Sequence, residues 1–155
     1  MDRLITIEEI KNARAALPPA IRETPILPFA ADSPSVGEEK LYLKAENLQV
    51  TGAYKVRAAF TILNGLTASE RKRGVVLTSS GNFAQAFGFA GAQMGVPIVV
   101  VMLDQTSPYK IEATRAYGAE VVFSGNDALA RQPFVEQIAA ERSMTPIDTW
   151  EDQRG

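Results

Sequence analysis

The chain has 155 residues, 46% of them hydrophobic and 22% charged, which suits a soluble globular protein with room for one real core. Sixteen Lys and Arg against 18 Asp and Glu give a net charge of -2, so no basic footprint for nucleic acid is present. With neither cysteine nor histidine, disulfides, thiolate metal sites and every Ser-His or Cys-His arrangement are excluded, and any chemistry falls to a lysine, a carboxylate or a cofactor. No apolar run approaches membrane-spanning length, and Met1-Asp2-Arg3-Leu4 does not read as a signal peptide. The expected location is the cytoplasm, with no membrane partner.

Residues 6 to 16 read as a helix opened by a capping box, Thr6 with Glu9 three positions on, and ended by Pro18-Pro19. Thr24-Pro25-Ile26-Leu27-Pro28 is expected to be extended, because each proline pushes its predecessor out of helical space. A polar loop over 31–39 follows. Leu41-Tyr42-Leu43-Lys44-Ala45 reads as a strand that feeds the stretch from Glu46 to Arg57, and a helical pattern leaves it from about Tyr54 to Leu63. Thr51 is the expected cap of that helix, and Gly52 allows an unusual backbone angle or the close approach of a ligand. Lys55 falls in the first turn, where the positive end of the helix dipole disfavours a cation. It is therefore either turned to solvent, the usual state of a lysine, or held partly neutral for chemistry.

A regular alternation comes next. Gly74-Val75-Val76-Leu77-Thr78 is a short apolar strand, followed by the turn Ser79-Ser80-Gly81-Asn82 and a helix from about Phe83 to Met94 closed by Gly95. Pro97 to Met102 is a second buried strand. Ser107 caps the next helix with Pro108 at its first position, and Arg115-Ala116-Tyr117-Gly118 ends it. Ala119 to Phe123 is a third strand, and residues 126 to 142 are helical, capped by Asn126. Continuous Val/Ile runs alternating with amphipathic helices predict an α/β fold, a doubly wound parallel sheet in three layers, α/β/α. In such sheets ligands bind beyond the carboxyl ends of the strands. The turn from Ser79 to Asn82 lies at such an end and on a helix N-terminus, which favours an anion, although a plain βα turn with a serine cap accounts for the stretch equally simply. No G-x-G-x-x-G follows a strand and there is no P-loop; Gly88, Gly91 and Gly95 read instead as sites of close helix–sheet packing.

Two stretches together, Lys-Ala-Glu-Asn-Leu-Gln-Val-Thr-Gly-Ala-Tyr-Lys-Val-Arg-Ala-Ala (Lys44 to Ala59) and Ser-Ser-Gly-Asn-Phe-Ala-Gln (Ser79 to Gln85), resemble the threonine/serine dehydratases of pyridoxal-phosphate fold type II, a group that includes serine racemase. Thr24 to Leu27 and Lys110 to Glu120 support the match, which runs along nearly the whole chain. The resemblance implies pyridoxal 5'-phosphate as cofactor, bound covalently by Lys55, with Tyr54 packing near its ring and Asn82 reaching its 3'-hydroxyl. It implies that Ser79, Ser80, Gly81, Asn82 and Phe83 hold the substrate carboxylate, and that Ser80 is the second base of racemase members. No metal site is implied. The implied activity is α,β-elimination of a hydroxy amino acid to a 2-keto acid and ammonia, by a homo-oligomer acting on a small amino acid. Serine racemase-like or hydroxyaspartate dehydratase activity, and a truncated, non-catalytic α/β binding domain, are the alternatives.

A lysine amine can link to a carbonyl and later take an α-proton, and the cofactor is the electron sink, so a chain without histidine or cysteine suffices. Phe83 stands where the family usually has histidine, and Ala58 where glycine is common. The resemblance divides the chain into 1–40, a segment normally packing on the family's large domain; 41–150, its small α/β domain with the lysine; and 151–155. Past the equivalent of Gly155 the family continues with a glycine-rich phosphate cradle and a partner for the pyridine nitrogen. The 155 residues alone are therefore expected to be catalytically incomplete.

Overall fold

The computed structural model describes residues 4–29 and 41–148. The expected loop over 31–39 and the end from 149 lie outside the described residues. Helix α1 (Ile7–Ala15) opens with the expected capping box: Thr6 Oγ1 accepts from Glu9 N at 3.2 Å, and the Glu9 carboxylate accepts from Thr6 N at 2.8 Å. Strands β1 (Ile26–Pro28) and β2 (Tyr42–Lys44) pair antiparallel as a two-stranded ribbon, with Leu27 opposite Leu43. Helix α2 (Lys55–Gly65) follows. Then comes α3 (Ala68–Arg73), absent from the sequence reading although Thr67 and Glu70 form a second capping box.

The rest is the expected α/β alternation: β3 (Val75–Thr78), α4 (Asn82–Met94), β4 (Ile98–Met102), α5 (Pro108–Ala116), β5 (Glu120–Phe123), α6 (Arg131–Arg142) and β6 (Thr145–Ile147). All four strands are parallel, in the order β5-β4-β3-β6. Period-two alternation sends successive residues of the strands to opposite layers. Val75, Leu77, Val100 and Met102 meet α2, α4 and Ile111 of α5 on one face. Val76, Val99 and Val101 meet Val135, Ile138 and Ala139 of α6 on the other. The chain steps outward from β3 to β4 and β5 over the first face and returns to β6 by way of the second. Crossovers of parallel strands are right-handed, so reversing direction forces a change of face. The doubly wound three-layer sheet is thus present, with one strand more than the three read from the sequence.

Gly91 in α4 and Gly95 just past its end do different work. A Cβ at Gly91 would lie 2.2 Å from Ile98 Cγ1 and 2.7 Å from Val96 O, so only glycine lets α4 close on β4. Gly95 has open space around it and serves as the left-handed cap, φ 66°, rather than as a packing site. The expected Asn126 cap of α6 is also displaced. Asp127 caps a 3-10 turn (Ala128–Ala130) ahead of α6, and Asn126 Oδ1 accepts from Gln105 N at 3.0 Å, tying together the loops that follow β4 and β5.

Candidate active site

Helix α2 starts at Lys55, and its cap position is Tyr54, with no side-chain cap bond. The expected Thr51 cap does not form. The threonine is buried and its hydroxyl donates to Ala53 O at 3.5 Å, because the turn closes before the helix begins. Gly52 takes the unusual angle, φ 70°. No acidic residue stands in the first turn of α2, so nothing on the helix offsets the dipole against the Lys55 ammonium. The side chain is half-buried, and no hydrogen bond or ion pair joins it to a carboxylate among the described residues. Its Nζ lies 5.0 Å from the centroid of the Phe83 ring and 5.3 Å from that of Tyr54. Two ring faces offer the cation about 0.5–1 kcal/mol each at exposed sites. That is comparable to the roughly 0.3–1 kcal/mol by which a helix N-terminus opposes it. Lys55 therefore sits in a balance that a bound molecule can tip.

The Lys55–Phe83 contact brings the two sequence stretches together. Phe83 is the second residue of α4 and is fixed from behind by the fully buried Phe87, centroids 5.0 Å apart at 62°. Ahead of it, α4 starts at Asn82, with Gly81 at the cap position and no side-chain cap, so the serine-cap reading of this turn does not hold. Gly81 N donates weakly to Ser79 Oγ at 3.4 Å. No described group accepts from the amides of Ser80, Asn82 or Phe83. Asn82 is exposed, and no described group bonds its side chain. The turn therefore presents open N–H donors at the positive end of a 13-residue helix, the arrangement a carboxylate or phosphate needs. Ser80 Oγ lies 3.4 Å from Thr106 Oγ1 in the loop after β4. Thr106 was missed in the sequence. A hydroxyl residue at the carboxyl end of the neighbouring parallel strand was the signal that could have found it.

Two residues on from the lysine, Arg57 anchors a polar cluster that joins α2 to the chain around residues 22–24. Arg57 grips Glu46 with Nε to Oε2 at 3.0 Å and Nη2 to Oε1 at 2.9 Å, and it also donates to Arg22 O at 3.0 Å. Thr24 Oγ1 donates to Glu46, and Lys44 Nζ to Thr24 O at 2.6 Å. The Gln49 amide mimics a strand neighbour: its Oε1 accepts from Arg22 N and its Nε2 donates to Arg22 O, both at 2.9 Å. The Arg57 hydrogen bond holds the Glu46 carboxyl below its usual range against the opposing effect of burial, with Thr24 and Lys44 assisting. No cluster of metal-ligating side chains occurs among the described residues.

A half-buried primary amine near two aromatic rings, with open amides in the turn that leads to one of them, fits a planar aldehyde cofactor and an amino acid carboxylate. A family model described as "pyridoxal-phosphate dependent enzyme" matches residues 17–155. The catabolic L-threonine dehydratase of Staphylococcus aureus is 31% identical over 150 residues, which cover 97% of this chain and 43% of that protein. A threonine deaminase structure from T.th. superposes with a TM-score of 0.84 at 33% identity, covering 97% of this chain and 47% of that one. The serine racemase of Dictyostelium discoideum gives 0.85 at 31%, covering 97% and 48%. The chain spans less than half the length of each of these relatives.

Proposed function

The chain belongs to the pyridoxal-phosphate dependent enzyme family, and from that premise we propose that it is the lysine-bearing part of a threonine/serine ammonia-lyase. The observation that carries the reading is Lys55 Nζ, without a described carboxylate and 5.0 Å from the Phe83 ring, which directly follows the open turn at the start of α4. Pyridoxal phosphate, when bound, supplies the electron sink for the pair left as the substrate Cα–H bond breaks. In this reading Lys55 Nζ would hold the cofactor through its carbonyl and, once freed by the substrate amine, would take the α-proton. Tyr54 would lie against the cofactor ring and Asn82 would meet its hydroxyl. The amides and side chains from Ser79 to Phe83 hold the substrate carboxylate, fixing the α-hydrogen toward Lys55. Loss of that proton and of the β-hydroxyl, together as water, followed by hydrolysis of the remaining C–N bond by a second water, gives a 2-keto acid and ammonia.

A racemase is the second reading. The likeness to serine racemase supports it, and so does the Ser80 hydroxyl, whose neighbour Thr106 can orient it as a second acid or base. The proposal places the protein in the cytoplasm with an amino acid as its substrate. It divides the chain near residue 40, into a docking segment and the α/β unit. It also makes the protein a homo-oligomer, because Ile26, Leu27, Phe29, Tyr42 and Leu43 lie exposed on one ribbon. The test is keto-acid release from L-threonine and L-serine by the protein carrying these residues, supplied with pyridoxal phosphate. Turnover that Lys55→Ala abolishes supports the lyase. Inversion of serine without keto acid selects the racemase, and turnover that survives Lys55→Ala refutes both.

A further inference from the structure

We propose that Phe83 is a positioning residue for Lys55: its ring face holds the lysine ammonium at the mouth of the α4 turn until a ligand displaces it. The inference deepens the reading of Lys55 as the reactive amine, and its test does not depend on that reading. Lys55 stands at the N-terminus of α2 and reaches toward the N-terminus of α4, so two positive helix ends face one cation. No described carboxylate offsets them. The electron-rich partners that the structure sets at Nζ are the two rings. They are not equivalent. Tyr54 is 56% exposed and belongs to the same turn as Lys55. Phe83 belongs to another helix and is pinned edge-on to the buried Phe87. A ring packed against the core can hold a flexible four-carbon side chain in one place, whereas an exposed ring moves with it. Phe83 thus keeps the amine next to the open amides of the turn, where a substrate carboxylate would arrive, and the aromatic face makes no bond that an incoming carbonyl would need to break.

The experiment is competitive trace acetylation of the cofactor-free chain at fixed pH, read by peptide mass as the reactivity of Lys55 relative to Lys110, an exposed lysine on α5. The contact that holds Nζ against the ring must be given up before the amine can attack, so a ring-held lysine reacts slowly. Phe83→Leu should raise the relative reactivity of Lys55 about two- to five-fold, the factor expected for the loss of one cation–π contact. Phe83→Tyr, which restores a ring, should return it to the parent value. Phe83→Met keeps bulk against Phe87 while removing the ring, and it decides the matter if the leucine variant does not fold. Equal Lys55 reactivity in the parent and in Phe83→Met overturns the proposal, as does an increase that Phe83→Tyr fails to reverse. Pyridoxal phosphate capture by the same proteins, measured separately, reports on the cofactor reading. Failure to capture it would sink that reading and leave the role of Phe83 standing.

Discussion

The sheet and the ribbon of this chain are built from similar residues and fare differently. In β3 and β4, valines, leucine, isoleucine and methionine are all but sealed from solvent, with helices on both faces. In α1, β1 and β2 no residue is buried, although Ile7, Ile10, Ile26, Leu27, Tyr42 and Leu43 are comparably apolar. What separates them is not propensity but the number of layers available. A sheet with crossover helices supplies its own cover, whereas a two-stranded ribbon has none and is marginal alone. The ribbon is held by polar bonds instead, through Gln49, Glu46 and Arg57 to the backbone of Arg22 and the side chain of Thr24. Lys55 lies two residues before Arg57, on the boundary between the two regimes.

The largest expected effect comes from the covered region. Phe87→Ala empties a fully buried site beneath Phe83 and should cost about 3–5 kcal/mol, measured by denaturant unfolding. Leu43→Ser, on the ribbon, should change stability by no more than about 0.5 kcal/mol. It should instead reduce the mass seen by sedimentation, since self-association through the ribbon is proposed. A large loss of stability at Leu43 would erase the distinction between the two regions.

A smaller effect probes the polar attachment. Arg57→Ala leaves the Glu46 carboxylate, whose side chain is 17% exposed, without its main partner and should cost roughly 1–3 kcal/mol. Hydrogen exchange at the amides of Arg22 and Ala45 should accelerate while that of β4 stays protected. The pH dependence has a definite sign. Glu46 is depressed in the folded chain, so its stabilisation is present above the ordinary value of 4.5 and is lost as pH falls through the lowered one. Arg57→Ala should flatten this acid-side slope. An unchanged slope would mean that the pair does not hold the segment.

What was legible in the sequence follows the same division. The Val/Ile runs announced a covered parallel sheet, because only burial on both faces tolerates them. Strand β6 was missed because Thr145-Pro146-Ile147 is three residues with a proline at its centre, which only a pairing partner such as β3 makes into a strand. Helix caps were read by residue type, and there the reading was least reliable. Thr6 caps as expected, but Thr51 and Asn126 bond elsewhere and Ser107 makes no side-chain cap bond, since a hydroxyl or amide near a helix start has several backbone partners to choose from. Lys55, Tyr54 and the turn from Ser79 to Phe83 were all named from motifs. That they share one site was implied by the resemblance alone; the contact of Lys55 with Phe83 depends on how α2 packs against α4, and no local pattern encodes that.

The central claim is that Lys55 alone is placed to capture pyridoxal phosphate. Borohydride added to the chain equilibrated with the cofactor fixes whichever amine is linked, and peptide mass mapping locates it. The account predicts modification concentrated at Lys55, with Lys44, Lys72 and Lys110 near background and the signal lost in Lys55→Ala. Label spread evenly over these lysines, or retained after Lys55→Ala, would contradict it.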